Sequence, residues 1–260
     1  MTLLTEFLLR LSFGMAVGMA IVSPRQVTSG YYRNHLYVVL GLTAFAALVS
    51  RVAASGAFWW GVATAVLSYV GSVCWLYEKR RAGVVLLACV ACTAIVGALQ
   101  LVGDPIATQS GAVTTAPPAP ALAESLRLMQ PISSGLLLGT TMAAMLLGHW
   151  YLNAPGMELA PLRRLLVAMA AATALQIAVC GAGLALNAMH MELTTQQWLF
   201  VLLRWSFGLV GLPLIIWLVW KTLEIPNTQS ATGMLYVAVI CVLAGETMSL
   251  PLSAELVFPV

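Results

Sequence analysis

The chain has 260 residues, of which 61% are hydrophobic and only 8% are charged, and its mean hydropathy is +0.94. Soluble domains are about 25% charged, so this composition excludes a soluble globular domain and indicates that lipid covers much of the surface. The formal net charge is +3, and the basic residues lie in short loops between apolar runs. Basic residues in such loops indicate which side of the membrane each loop faces. They do not form the basic patch that a nucleic-acid partner would require.

Eight segments of the sequence are apolar enough to cross a bilayer, which requires about 20 mostly apolar residues. In chain order they are residues 3–22, 36–52, 58–77, 82–102, 131–151, 162–187, 198–220 and 232–250. We therefore predict an all-α integral membrane protein, a bundle of about eight transmembrane helices with the lipid bilayer as its main partner.

A polar, proline-rich stretch at residues 103–124 separates the fourth and fifth predicted spans. Proline and short polar residues favour turns over membrane helices. We predict a single membrane domain, residues 1–260, made of a first four-helix half (1–102), an outer loop (103–124) and a second four-helix half (125–260).

The positive charges orient the predicted spans, because cytoplasmic loops carry an excess of lysine and arginine. The even-numbered loops hold only Arg51 and Arg127, whereas the odd-numbered loops hold Arg25, Arg33, Lys79, Arg80, Arg81, Arg163, Arg164 and Lys221. We therefore predict cytoplasmic odd loops, both termini outside (N-out/C-out), and a multi-pass location in the inner (cytoplasmic) membrane of the cell.

Tryptophan and tyrosine concentrate near the ends of the predicted spans, where aromatic belts meet the lipid headgroups. We assign to such belts Trp59, Trp75, Trp217, Tyr31 and Tyr32, among others.

Charged and amide side chains inside the predicted spans are expensive and are therefore candidates for a functional site. Glu6 and Arg10 lie four residues apart and can pair on one helix face. Arg204 and Glu246 lie in consecutive spans and are predicted to form an ion pair. We expect Arg10, Gln130, Arg204 and Glu246 to line an outer-leaflet pocket for a quinone headgroup. The alternative is that the Arg10 side chain extends to the outer surface and that the Arg204–Glu246 pair only holds two helices together.

His35 and His149 fall at the cytoplasmic ends of two different spans. Two such histidines could bracket a haem b, or they could form ordinary interfacial hydrogen bonds. The sequence contains no G-x-S-x-G, H-E-x-x-H, P-loop or G-x-G-x-x-G motif. We therefore predict no catalytic residues, no metal site, no covalently held cofactor and no catalytic activity of the chain on its own.

The last predicted span, from Ala231-Thr232-Gly233-Met234-Leu235-Tyr236 through Gly245-Glu246, gives the sequence its best local likeness to a known family. Together with eight spans, short loops and an outer layer of Arg, Glu and Gln, it resembles the membrane-anchor subunits of molybdopterin oxidoreductases. These are the dimethyl-sulfoxide-reductase anchor and its polysulfide-reductase and NrfD-type relatives. The resemblance implies quinol binding without a resident cofactor, in a complex with an iron–sulfur subunit.

Three functions remain open at this point. The leading hypothesis is a non-catalytic membrane subunit of a respiratory or electron-transfer complex, with other subunits as partners and a quinol pocket. The second is a small-molecule transporter, because Pro213, preceded by Gly208 and Gly211, could break the seventh span near the bilayer centre. The third is a membrane cytochrome with haem b between His35 and His149.

Overall fold

The computed structural model describes residues 1–102, 120–154, 156–190, 193–225, 227–256 and 258–260. These residues are 88% helical and contain no strand. They include eight helices that are long and apolar enough to cross a membrane. The predicted all-α class and number of long apolar helices are thus confirmed for the described part of the chain.

In chain order these helices are α1 (Thr2–Ile21), α2 (Ser29–Val52), α3 (Phe58–Leu76), α4 (Arg80–Val102), α5 (Pro120–Asn153), α6 (Ala160–His190), α7 (Thr195–Glu224) and α8 (Thr228–Glu255). Helix α7 is composite, because a π-helical segment at Arg204–Val210 lies between two α-helical parts, Thr195–Leu203 and Gly211–Glu224.

Helix α2 begins seven residues before the predicted span, and this early start overturns part of the aromatic-belt prediction. Tyr31 and Tyr32 lie inside the helix and are fully buried, and the Trp75 ring stacks on that of Tyr32 at 4.0 Å. The Tyr32 hydroxyl donates to the Val22 carbonyl at 2.7 Å, so its polar end is satisfied inside the protein. Trp59 is 73% exposed, as expected of a belt residue.

Helix α5 also begins earlier than its apolar run predicts. Residues 120–124, predicted as part of the outer loop, are helical, whereas residues 103–119 of that loop lie outside the described residues. Proline is well tolerated in a first helical turn, as at Pro120. Pro131, expected at the start of the span, lies inside the helix, a position that membrane helices tolerate when neighbouring groups satisfy the freed carbonyl.

The helices pack as two groups of four that meet through α1 and α5. Helices α1–α4 contact one another, as do α5–α8. At the contact of α1 with α5, a Cβ atom added to Gly14 would lie 1.7 Å from the Gly135 carbonyl oxygen, and one added to Gly139 would lie 1.8 Å from the Gly14 carbonyl carbon. Only glycine permits this backbone approach, as in close-packed membrane helices.

The outer surface of the bundle is largely apolar. Leu48 on α2, Val85 on α4 and Ile240 on α8 are each more than 60% exposed, and many other large apolar side chains also face outward. In water, a continuous surface of this kind would drive aggregation.

Candidate ligand site

Each helix of the second group of four contributes a polar side chain to one buried cluster. Helices α5 and α6 provide two residues each, and α7 and α8 provide one each. Every member is at most 3% exposed. This polar cluster consists of Gln130, Ser134, Gln176, Cys180, Arg204 and Glu246.

The Glu246 carboxylate is the centre of the polar cluster. Arg204 Nη2 lies 3.4 Å from Glu246 Oε1, so the predicted ion pair is present. Gln176 Nε2 donates to the same oxygen at 3.3 Å, and Ser134 Oγ donates to Oε2 at 2.5 Å. Burying an ion pair costs several kcal/mol per ion, and such additional hydrogen bonds are needed to offset that cost.

The approach of α7 to α8 brings Arg204 and Glu246 together. A Cβ atom added to Gly208 would lie 3.0 Å from the Gly245 Cα atom, and one added to Gly245 would lie 2.8 Å from the Gly208 Cα atom. The two backbones therefore nearly touch beside Glu246, and Arg204 is one turn from that contact.

The π-helical segment of α7 begins at Arg204 itself. The Gly211 N–H donates to the Ser206 carbonyl, five residues earlier, which is the hydrogen bond of a π-helix. Pro213 follows, and a proline ring clashes with the carbonyl four residues before it in a regular α-helix. The wider π turn relieves this crowding, so the helix continues past Pro213 and is not broken there.

Residues 258–260, called the 258–260 segment below, lie against Arg204. Val260 offers its backbone oxygen to Arg204 Nη1. Asn187 on α6 fixes Phe258 at two points, since Asn187 Nδ2 donates to the Phe258 carbonyl at 2.9 Å and the Phe258 N–H donates to Asn187 Oδ1 at 3.3 Å. The segment passes so close to α6 that a Cβ atom on Gly183 would lie 1.7 Å from the Pro259 carbonyl oxygen.

Three atoms of the polar cluster have no hydrogen-bond partner among the described residues. They are the donors Gln130 Nε2 and Arg204 Nε and the acceptor Gln176 Oε1. Buried polar atoms are nearly always paired, with protein, water or ligand, because an unpaired one costs about 1–3 kcal/mol. Two donors and one acceptor of the polar cluster are thus available for hydrogen bonds to water or to a ligand.

Arg10, the fourth residue of the predicted pocket, lies outside this network. Its guanidinium pairs with Glu6, as the spacing predicted, and within the described residues it makes no hydrogen bond to the polar cluster. Arg10 is nevertheless buried on α1, where its carbonyl oxygen lies 2.9 Å from the position of a Cβ atom on Gly135. The structure therefore brings Gln130, Arg204 and Glu246 into one hydrogen-bonded cluster, whereas in the described part of the chain Arg10 pairs with Glu6 and reaches the cluster only through an electrostatic interaction with Cys180.

The two histidines differ in their surroundings. His35 is buried, its ring centroid lies 4.2 Å from that of Tyr31, and its Nδ1 is 2.5 Å from the Tyr31 carbonyl oxygen. His149 is exposed on the surface of the helical bundle, and its Nδ1 atom lies 3.3 Å from the Tyr236 hydroxyl. Each histidine thus already uses one ring nitrogen within the protein.

Sequence reasoning missed three members of the polar cluster, Ser134, Gln176 and Cys180. Gln176 carried a usable signal, because a glutamine in the middle of an apolar run faces a partner or a cavity. Cys180 follows it at the i+4 spacing, which puts both on one face of α6. Ser134 carried none, since serine is common in membrane helices.

Two open apolar grooves lie on the outside of the bundle. One, of about 450 Å³, lies between α1 and α4 and includes Phe13, Ala88 and Cys92. The other, of about 400 Å³, lies between α6 and α7, and its described lining contains no residue of the polar cluster.

Comparison of the chain with protein-family models, with curated proteins and with solved structures gave no match. The class of the protein is therefore defined by the fold alone: a helical bundle whose described residues include eight helices long and apolar enough to cross a membrane.

Proposed function

We propose that this chain is a multi-pass protein of the cytoplasmic membrane and a non-catalytic subunit of an electron-transfer complex, whose polar cluster binds the headgroup of a quinol. The observation that carries the proposal is the set of unpartnered atoms, Gln130 Nε2, Arg204 Nε and Gln176 Oε1, around the buried Glu246 carboxylate.

A quinone headgroup matches these atoms chemically. Its carbonyl oxygens accept hydrogen bonds from Gln130 Nε2 and Arg204 Nε, and a hydroxyl of the quinol donates to Gln176 Oε1. Oxidation of a quinol releases two protons and two electrons. The Glu246 carboxylate accepts the two protons one after the other and passes each to water outside the membrane before taking the next, and both electrons pass to a redox partner subunit.

The shape of the chain supports a role as a membrane subunit. Apart from residues 103–119, which lie outside the described residues, the segments between consecutive helices are at most seven residues long. The described part of the chain therefore has little water-facing surface with which to bind soluble substrates. Its exposed surface is instead apolar, as expected of helices in lipid. The positive-inside pattern supports an orientation with both termini outside.

Co-purification tests the role in a complex. The tagged chain, extracted from membranes with a mild detergent, is expected to bring down larger redox subunits and bound quinone, both identified by mass spectrometry. A chain that leaves the membrane in an alkaline wash, or that is recovered alone and free of quinone, would contradict the proposal.

Quinol binding at the polar cluster is tested by a matched pair of variants. Gln130→Leu removes an unpartnered donor from the cluster, whereas Gln100→Leu makes the same change at an exposed glutamine on α4. We expect Gln130→Leu to weaken quinol binding about tenfold, the value of one hydrogen bond in a buried site, and Gln100→Leu to leave it unchanged. Equal affinities of the two variants would place the ligand elsewhere.

A small-molecule transporter is the second candidate, favoured by the irregular backbone of α7. Many transporters bind their substrates where membrane helices depart from regular geometry, and the π-helical segment Arg204–Val210 is such a departure. Substrate-dependent flux in liposomes that contain the purified chain would decide for this function. The haem hypothesis is checked by a reduced-minus-oxidised absorbance spectrum.

A further inference from the structure

The groove between α6 and α7 has the form of a lipid site. Its described lining is almost entirely apolar, and it includes the small residues Ala170 and Ala174 on α6, flanked by larger side chains. The residues that line the groove along its length include Leu166, Ala170, Ala174, Ile177, Pro213 and Trp220. From Leu166 to Ile177 the groove follows α6 for about 16 Å, close to the roughly 15 Å depth of one hydrocarbon leaflet.

A positive charge lies at one end of this groove. The Arg163 guanidinium carbon is 5.9 Å from the ring centroid of Trp220, which lines the groove, and Arg163 Nη2 donates to the Leu223 carbonyl at 3.1 Å. In the described part of the chain no carboxylate forms an ion pair with Arg163. The neighbouring Lys221 is already paired with Glu224 at 3.0 Å. A guanidinium has five N–H donors, so Arg163 retains donors for an anion.

We propose that the α6–α7 groove binds an anionic phospholipid, with one acyl chain along the groove and the phosphate on Arg163. An apolar channel of one-leaflet length with a cation at its rim matches the two parts of such a lipid. Basic pockets between membrane helices on the cytoplasmic side are typical anionic-lipid sites. The inference rests on the membrane location proposed above, and it is independent of the quinol site.

Native mass spectrometry of the purified full-length chain tests the site, with phosphatidylglycerol and phosphatidylcholine of identical acyl chains as the two probes. We expect the wild-type chain to bind phosphatidylglycerol about fivefold more tightly, the typical contribution of one arginine to binding an anionic lipid surface. Arg163→Gln is expected to reduce this preference to less than twofold. Arg164→Gln, which removes the adjacent exposed arginine, is expected to keep it.

A second pair of variants tests the groove. Ala174→Phe fills the groove, whereas Ala171→Phe makes the same change on exposed α6 surface outside the groove lining. Binding of both lipids is expected to fall at least fivefold in Ala174→Phe relative to Ala171→Phe. Ala170→Phe, also in the groove, provides the same test if Ala174→Phe does not fold.

Any one of three results would overturn the inference. The first is equal binding of the two lipids by the wild-type chain, and the second is equal lipid binding by Ala174→Phe and Ala171→Phe. The third is tighter binding of a neutral isoprenoid lipid than of phosphatidylglycerol. A chain that binds phosphatidylglycerol in this way but carries no quinone would contradict the proposed function and leave the lipid site intact. A membrane-bound chain with quinone but no lipid preference would contradict the lipid site alone.

Discussion

Glu246 is the residue on which the polar cluster depends most, because it accepts hydrogen bonds from Ser134 on α5 and Gln176 on α6 and pairs with Arg204 on α7. Glu246→Leu would leave a guanidinium buried without its counter-ion, which typically costs about 3–5 kcal/mol. We expect a correspondingly lower free energy of unfolding, measured by denaturant titration in detergent micelles. The double variant Arg204→Met/Glu246→Leu removes both charges and is expected to be more stable than Glu246→Leu. A double variant no more stable than the single one would show that the pair contributes little through its charges.

The sequence could indicate the charged residues of the cluster but not how they are connected. Arg204 and Glu246 stand out because charge is rare in an apolar helix, and their neighbouring spans made a pair foreseeable. The depth and rotation of each helix decide which further side chains reach the pair, and these depend on packing. Hence Gln176 was overlooked, and Arg10, which was expected to line the same pocket, forms its ion pair with Glu6 and not with a member of the cluster.

At the scale of helices, the contact between α1 and α5 depends on glycine at Gly14, Gly135 and Gly139. Gly139→Ala would place a methyl group within the backbone of α1, and overpacking of this kind typically costs about 1–3 kcal/mol. We expect a lower thermal unfolding temperature in detergent. Gly41→Ala on α2 is the control, because its Cβ atom would meet open space. There alanine is expected to be neutral or stabilising by up to about 1 kcal/mol. An equal loss in both variants would contradict the packing argument.

The 258–260 segment offers a second prediction at this scale. Gly183→Ala would drive a methyl group into the Pro259 carbonyl, whereas on Gly181→Ala the new Cβ atom would lie 3.6 Å from Trp205, an ordinary contact. We expect Gly183→Ala to release the segment from Asn187 and Arg204, and Gly181→Ala to leave it in place. Hydrogen–deuterium exchange of a peptide covering residues 256–260 measures this. Slow exchange in both variants would show that the segment tolerates the side chain.

The helices were easier to predict than their ends. Each long apolar run corresponds to one of the eight helices, because twenty apolar residues have few alternatives to a helix in lipid. Hydropathy alone does not show that α2 extends back to Ser29 or α5 to Pro120, since those added turns contain polar or small residues. The continuation of α7 past Pro213 was also hidden, because it depends on a local change to π geometry.

For the whole molecule, the two groups of four helices differ in chemistry. Among the described residues, the hydrogen bonds that join members of the polar cluster to one another lie within α5–α8, whereas the buried charge of α1 is paired locally with Glu6. We infer that the second group carries the ligand chemistry and that the first supports it through the glycine contact with α5. This division could not be read from composition, because both halves are equally apolar in character.

Membrane orientation is the property of the whole molecule that can be tested most directly. The surplus of arginine and lysine in the odd-numbered loops predicts that those loops face the cytoplasm. Reporter fusions after Ser23, Lys79 and Gly156 should therefore give fluorescent green fluorescent protein and inactive alkaline phosphatase. Fusions after Ala54 and Thr194 should give the reverse.

The charges of the third loop can be tested separately. Replacing Lys79, Arg80 and Arg81 together with glutamine is expected to weaken the alternation of reporter activities near that loop, whereas replacing Arg51 with glutamine is not. The opposite alternation would invert the orientation and place the polar cluster nearer the cytoplasm, so that any proton released at Glu246 would leave on that side.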